Sequence, residues 1–329
     1  MSAARGPAAE QIPPVVSAAW VRERAASPGD GVPAPDAEPV LADVRWYLDG
    51  RSGHDAYLAG HLPGAVWVDI DTDLSGPPTP DGGRHPLLPP EEFAARLGRL
   101  GIADDSVVVA YDDQGGGFAA RLVWLLRRTG HRAALLDGGL AAWLTPLETG
   151  PVRRQPVERR VAPWPDHLLR DADETAAAGL SPRALVLDSR AVTRYSGVDQ
   201  HAGETRAGHL PGALSAPWQD NLTADGRFRP PGELRTRFVE LGLAGAEDVV
   251  FHCGSGVTAC HNLLAVELAG LPDAALFPGS WSAWSADPDR PVVRGRQPFG
   301  SSGPEAAHRA GSAAGWPGAG GSATEGAPR

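Results

Sequence analysis

The sequence predicts an α/β protein built from two tandem domains, each a mainly parallel sheet flanked by helices. Three observations carry this expectation. The chain has 329 residues, enough for about two cores. Short apolar runs of β type alternate with segments of helical spacing, the pattern of parallel sheets with crossover helices. The same order of motifs then occurs twice, as a duplicated unit requires.

Met1 to Pro14 is rich in small residues and proline and reads as a flexible arm (1–14). Ser17 is placed to cap a helix carrying Trp20 and Val21, and Ser27 to Pro39 is a Pro/Gly/Asp loop. Val40 to Val44 is a buried strand ending in Asp43 and Arg45. The turn Ala59-Gly60-His61-Leu62-Pro63-Gly64-Ala65 feeds a strand at Val66 to Val68. Phe93, Leu97 and Leu100 give Glu91 to Leu100 one apolar helical face, and Ser106 to Tyr111 is a strand. Asp112, the glycines Gly115 to Gly117 and an apolar helix from Phe118 to Arg128 follow. Ala133 to Leu136 is the last strand of this half, before Asp137-Gly138-Gly139 and a helix carrying Trp143.

The second half repeats these signals. Val186-Leu187-Asp188-Ser189-Arg190 repeats Leu41 to Arg45, and Ala207 to Ala213 repeats Ala59 to Ala65 residue for residue. Pro230-Pro231 with Leu234, Phe238 and Leu241 matches Pro89-Pro90 with Phe93, Leu97 and Leu100. One offset, 141 residues, separates Asp112 from Cys253 and Trp143 from Trp284. The halves are expected at 15–148 and 171–297, joined by a Pro- and Arg-rich linker at 149–170. A Gly/Ser/Ala/Pro tail at 298–329 is expected to be disordered.

Composition excludes several function classes. Formal net charge is −10, which argues against nucleic acid as a partner. The 30 basic residues are all arginine. Without lysine, pyridoxal-phosphate chemistry, Schiff-base aldolases and P-loop phosphoryl transfer are out, and arginine must bind any anionic substrate. Cys253 and Cys260 are the only cysteines, so neither a disulfide framework nor a cysteine-rich zinc site is available. No cofactor or metal is called for. No stretch is apolar for a bilayer's thickness and no signal-peptide core opens the chain, so a cytoplasmic protein is expected.

The candidate site is Val249 to Ala259, an apolar strand that ends at Cys253 and opens into Gly254-Ser255-Gly256-Val257-Thr258 before a helix from Cys260 to Leu271. Backbone N–H groups of such a loop converge on its centre, and a helix N-terminus adds partial positive charge. That setting favours thiolate over thiol and makes Cys253 the candidate nucleophile. Asp112 stands at the matching position of the first half, with Tyr111 opposite His252. A carboxylate cannot do a thiolate's work, so the first half is expected to be silent and to wall the cleft.

The duplication, the paired Gly-His-Leu-Pro-Gly-Ala turns and Cys253-Gly254-Ser255-Gly256-Val257-Thr258 resemble the tandem-domain rhodanese family of sulfurtransferases. This loop and Gly279-Ser280-Trp281-Ser282-Ala283-Trp284 are similar to its 3-mercaptopyruvate branch. The thiosulfate branch typically has Arg and Lys after the cysteine, where this chain has Gly254 and Ser255. The resemblance implies rhodanese-like domains and transfer of sulfur from 3-mercaptopyruvate through a Cys253 persulfide to a thiol, thioredoxin or cyanide, with release of pyruvate. It also implies that Ser255 works with His85 and Asp71 of the first half, and that Arg194 holds the donor's carboxylate beside the loop residues Gly254, Gly256, Val257 and Thr258. The family usually adds a second arginine in a Pro-Glu-Pro-Arg stretch. Val198 to Glu204 contains none, which leaves thiosulfate open as donor.

The alternatives are a thiosulfate sulfurtransferase on the same fold and a non-catalytic persulfide carrier or binding module. Loop phosphatases close their anion loop with an arginine, and Gly254 to His261 has none. His61 and His209 recur identically and read as turn-stabilising. Asp43 with Arg45, and Asp188 with Arg190, read as internal ion pairs. Cys260 reads as packed, while Trp281 and Trp284 are candidates to wall the pocket, although Trp284 repeats Trp143 and reads chiefly as core. Sequence leaves the oligomeric state open, a monomer included.

Overall fold

The computed structural model describes residues 12–25, 38–201 and 203–299. Most of the N-terminal arm, most of the Pro/Gly/Asp loop and nearly all of the C-terminal tail lie outside these residues.

The first half runs β1 (Val15–Val16), α1 (Ala18–Ala25), β2 (Val40–Asp43), α2 (Gly53–Ala59), β3 (Val66–Trp67), α3 (Pro90–Arg99), β4 (Val107–Tyr111), α4 (Ala119–Arg128) and β5 (Arg132–Leu136). Ser17 caps α1 as expected, its Oγ accepting from Trp20 N at 3.1 Å. Pro89 and Pro90 open α3, where a missing N–H costs nothing. The second half runs α5 (Ala172–Leu180), β6 (Ala184–Asp188), α6 (Val192–Tyr195), β7 (Leu214–Ser215), α7 (Pro231–Glu240), β8 (Asp248–His252), α8 (Ala259–Leu268), β9 (Ala275–Leu276) and α9 (Ser280–Ala286).

The strands form two sheets, ordered β1-β5-β4-β2-β3 and β7-β6-β8-β9, and every pairing between named strands is parallel. Read from the opposite edge, the second order is β9-β8-β6-β7, that of β5-β4-β2-β3. The repeat in sequence is thus a repeat in topology. The counterpart of β1 shrinks to one parallel bridge between Leu169 and Leu276. In both sheets the strand order reverses between the two central strands, where open α/β sheets bind ligands at their carboxyl ends.

Helices α4 and α8 pack on each other between the sheets, and residues 119–126 and 259–266 are buried all round. Helices buried on every face belong in such an interior. One continuous core therefore crosses both halves, joining Val123, Leu126 and Leu135 to Leu264, Phe251 and Leu276. At its edge Glu267 of α8 accepts from Arg127 and Arg128 of α4.

The expected ion pairs form. Arg45 meets Asp43, and Arg190 meets Asp188, each at 2.7 Å with both partners buried. Burial acts to raise the Asp188 carboxyl, yet Arg190 and His252 draw it down to about 2. His61 and His209 serve their turns, each meeting the Tyr57 or Tyr195 carbonyl at 2.9 Å through Nδ1.

Two expectations fail. Trp143 is not carried on a helix: Gly139–Ala142 is a short 3-10 turn and Trp143 follows it in extended conformation, whereas Trp284 lies within α9. Gly138 and Gly139 both take positive φ, which breaks the α-helical path there. Trp281 does not wall the pocket; it sits in the core of the second half, where Trp284 lies as expected. Trp281 is held there by its Nε1–H, which donates to Arg206 O at 3.0 Å, and by Arg190 stacked on its ring.

Candidate active site

Cys253 follows β8 and is 1% exposed, at the floor of a cleft between the halves. The loop from Cys253 to Thr258 turns the chain into α8. Gly256 supplies a φ of +72°, and a β-carbon there would stand 2.5 Å from Pro278 O, so only glycine fits. The N-terminus of α9 props the loop from behind. Cys253 N donates to Ser280 Oγ at 3.1 Å, while Trp281 N and Ser282 N donate to the carbonyls of Cys253 and Gly254 at 3.0 and 2.9 Å. The amides of Gly254 to Thr258 have no acceptor among the described residues. Unpaired N–H groups beside a sulfur nucleophile are the donors that stabilise a developing anion.

The first half reaches over this loop with residues 82–85. Arg84 N donates to Ser282 Oγ at 3.0 Å, which fixes the segment against α9. His85 then lies with Nδ1 2.7 Å from Ser255 Oγ and Nε2 2.8 Å from Asp71 Oδ1. Burial, with the nearby Arg121 and Arg84 charges, holds the His85 pKa below its ordinary value against the pull of Asp71. The His85 hydrogen bond draws the Asp71 carboxyl down. At neutral pH this assigns an ionised Asp71, an Nε2–H donating to it, and an Nδ1 lone pair accepting the Ser255 hydroxyl.

Of the residues expected at the site, Cys253, Gly254, Ser255, Val257, Thr258, His85 and Arg194 line one cavity of about 210 Å³. That is below the roughly 300–1,000 Å³ of sites for drug-sized ligands and suits a small substrate. Asp71 stands behind His85, and Gly256 is in the loop's scaffold rather than on the cavity surface. Cys260 is apart: its thiol meets Gly256 O at 3.5 Å, and burial pushes its pKa up to about 12. His252 points away from the cleft towards Asp188, 3.8 Å distant, as strand alternation requires. A larger cavity, about 1070 Å³, lies beside Asp171 to Glu174 and Asp287, and no cysteine, serine or histidine lines it.

Three residues of the first half were missed as parts of the site. Trp46 donates from Nε1 to Asp71 Oδ2 at 3.0 Å and sets its ring edge-on to His85. Arg121, fully buried in α4, donates to His85 O at 2.8 Å, to Leu74 O at 3.1 Å and to Gly256 O at 3.1 Å. It ties the reaching segment to the cysteine loop and sets a positive charge behind it. Arg84 lines the cavity itself. Arg206 is excluded from it, because its guanidinium is spent on the carbonyls of Trp284, Ser285, Asp287 and Arg290.

Known proteins resemble the chain over most of its length. The rhodanese-like domain matches residues 32–145 and 171–287. The Homo sapiens 3-mercaptopyruvate sulfurtransferase is 37% identical over 295 residues, covering 86% of this chain and 96% of its own. A Mycobacterium tuberculosis protein, SseB, named for thiosulfate sulfurtransferase activity, is 40% identical over 269 residues, covering 78% of this chain and 92% of its own. The solved structure of the Escherichia coli 3-mercaptopyruvate sulfotransferase SseA superposes with a TM-score of 0.69 at 31% identity, covering 82% of this chain and 100% of that one. The chain therefore belongs to the rhodanese-like domain family, in its two-domain form, and is a sulfurtransferase.

Proposed function

We propose that the enzyme takes its sulfur from 3-mercaptopyruvate, with Cys253 as nucleophile, and that the Ser255–His85–Asp71 chain across the two halves, at 2.7 and 2.8 Å, is the observation that carries this reading. The Cys253 thiolate attacks the donor's sulfur. The carbon–sulfur bond breaks, and its electron pair passes to the donor's methylene carbon as the enolate of pyruvate. The hydrogen lost from the donor's thiol must end on that carbon. Ser255, its own hydroxyl given to His85, has lone pairs free to take this proton. The neutral imidazole carries it while Asp71 holds the ring, and the relay returns it to the enolate. Cys253 is left as a persulfide, Cys–S–S⁻, whose charge the amides of Gly254 to Thr258 are placed to receive. Attack on the outer sulfur by a thiol, thioredoxin or cyanide regenerates the thiolate.

In this reading residues 15–148 form the silent domain and 171–297 the catalytic one. One chain holds the whole site, so a monomer suffices. A reducing cytoplasm keeps Cys253 ready for the donor.

Thiosulfate is the second reading, favoured by the two guanidiniums of Arg84 and Arg194 beside the loop. Its leaving group, sulfite, departs as a stable dianion and needs no proton, so a relay adds nothing to it. Side-by-side assays of pyruvate release from 3-mercaptopyruvate and sulfite release from thiosulfate decide between the donors. We expect kcat/KM on the order of 100-fold higher for 3-mercaptopyruvate, the contribution of one positioned acid–base group. Equal values would remove the relay's role. Persulfide formation at Cys253 without turnover of either donor would leave a sulfur carrier.

A further inference from the structure

Three guanidiniums face the cleft, and only two have a carboxylate. Arg190 meets Asp188 at 2.7 Å and Glu204 at 3.4 Å. Arg194 is paired with Glu204, whose side chain is only 2% exposed. Arg84 has no carboxylate within ion-pair distance among the described residues. Its Nε is buried without a partner, and its one side-chain hydrogen bond is a long one, 3.5 Å from Nη2 to Ser255 Oγ. Burial and the like charge of Arg194 oppose ionisation of Arg84, while Cys253, Glu204 and Asp71 favour it. A half-buried cation with unused donors is stabilised by gaining an anion.

The geometry places that anion over the nucleophile's loop. A β-carbon on Gly254 would stand 2.8 Å from Arg194 Nη2 and 3.7 Å from Arg84 Nη2, so both guanidiniums end beside the residue that follows Cys253. A β-carbon on Gly203 would stand 2.8 Å from Arg84 Nη1, so Arg84 reaches the very stretch of the second half, 198–204, that has no arginine of its own. The bond from Arg84 N to Ser282 Oγ, 3.0 Å, fixes the backbone from which it reaches.

We propose that Arg84 is the principal binding cation for the donor's carboxylate, with Arg194, already answered by Glu204, as its partner. This rests on the keto-acid reading above and extends it: the silent half supplies the charge that binds the donor as well as the relay that protonates it. Because Arg84 and His85 are adjacent, one segment sets both the donor's position and the proton's path.

The test uses Arg84→Gln and Arg84→Lys in the full chain, with two measurements. With 3-mercaptopyruvate, Arg84→Gln raises KM on the order of 10- to 100-fold, the loss of a charge-assisted bidentate contact, while kcat stays within about threefold; Arg84→Lys recovers part of the loss. The second measurement needs no sulfur chemistry: the rate of Cys253 alkylation by iodoacetate, a carboxylate, relative to iodoacetamide, its neutral counterpart. Arg84→Gln lowers that ratio about tenfold or more. An unchanged ratio with KM within twofold of the parent overturns the proposal. So does a fall in kcat alone with the ratio unchanged, which would make Arg84 a support for His85. If neither donor is turned over yet the ratio falls, the keto-acid reading fails and the anion site at Arg84 stands.

Discussion

The loops after β4 and β8 have one ancestry in sequence and opposite chemistry. In the first, both Asp112 oxygens are saturated by backbone: Oδ1 accepts from Gln114 and Gly116 at 2.8 Å, and Oδ2 from Phe118 and Ala119 at 2.9 and 3.0 Å. Burial pushes the Asp112 carboxyl up, and those four N–H groups oppose it. In the second, Cys253 stands at that position and the amides of Ser255, Val257 and Ala259, the counterparts of those at 114, 116 and 118, have no acceptor among the described residues. A strand, a glycine turn and a helix N-terminus make an anion cradle in both halves. One carries its anion as a side chain and is finished as structure; the other leaves its donors open beside a thiol and is available for chemistry.

The largest test exchanges the two. Cys253→Asp should lower sulfur transfer by about 10⁴-fold or more, as loss of a nucleophile does, while the melting temperature holds or rises because the carboxylate fills the open cradle. The reciprocal Asp112→Cys should gain no activity, since no serine–histidine–carboxylate chain or arginine pair serves that loop. Residual turnover by Cys253→Asp would show that the nucleophile lies elsewhere.

Asp112→Ala tests the structural half. It strands four N–H groups, three of them buried, and at about 1–3 kcal/mol for each unsatisfied group, partly relieved by water, a loss of about 3–5 kcal/mol is expected by denaturant unfolding. A loss within about 0.5 kcal/mol would show that the built-in anion is dispensable.

The relay comes next. His85→Ala should lower kcat with 3-mercaptopyruvate about 100-fold and leave thiosulfate turnover nearly unchanged. The proposed relay uses neutral His85, so kcat should fall as pH drops through its pKa, with an acid limb below the ordinary histidine value of 6.5. The Asp71 carboxylate raises the His85 pKa, so Asp71→Asn should move the limb to still lower pH. A limb that stays in place would separate Asp71 from the relay.

The readable part of the molecule was the part written locally or twice. Strand runs, the proline-opened helices and the Gly-His turns follow from short-range pattern, and the constant offset between Asp112 and Cys253 joins the halves. His85 and Asp71 came from resemblance, and the contact of His85 with Ser255 spans 170 residues that no local pattern bridges. Arg121 was hidden because it lies in an otherwise apolar helix, where an arginine reads as an outward face; only the packing of α4 on α8 turns it to the centre. Arg84 was hidden by its neighbour, since a motif read for its histidine left the arginine unused. Trp281 was misplaced because an aromatic residue near a site loop fits a wall and a core equally well until the chain is folded, whereas Trp284 was legible as core from its repeat of Trp143.

The smallest expected effect bears most finely on the division of labour. Trp46 follows Arg45 as Ala191 follows Arg190, so at this position the first half carries the large residue and the second half the small one. Trp46 holds the Asp71 oxygen that His85 does not use, at 3.0 Å. Trp46→Phe keeps an aromatic edge against His85 and removes only that bond, whose worth of about 0.5–1.5 kcal/mol corresponds to a loss of roughly 2- to 12-fold in kcat. The loss should appear with 3-mercaptopyruvate and not with thiosulfate, because the bond acts through Asp71 and His85 on proton transfer alone. Equal losses with both donors would instead make Trp46 a wall of the cleft, and the first half's proposed contribution would narrow to Arg84, His85 and Asp71.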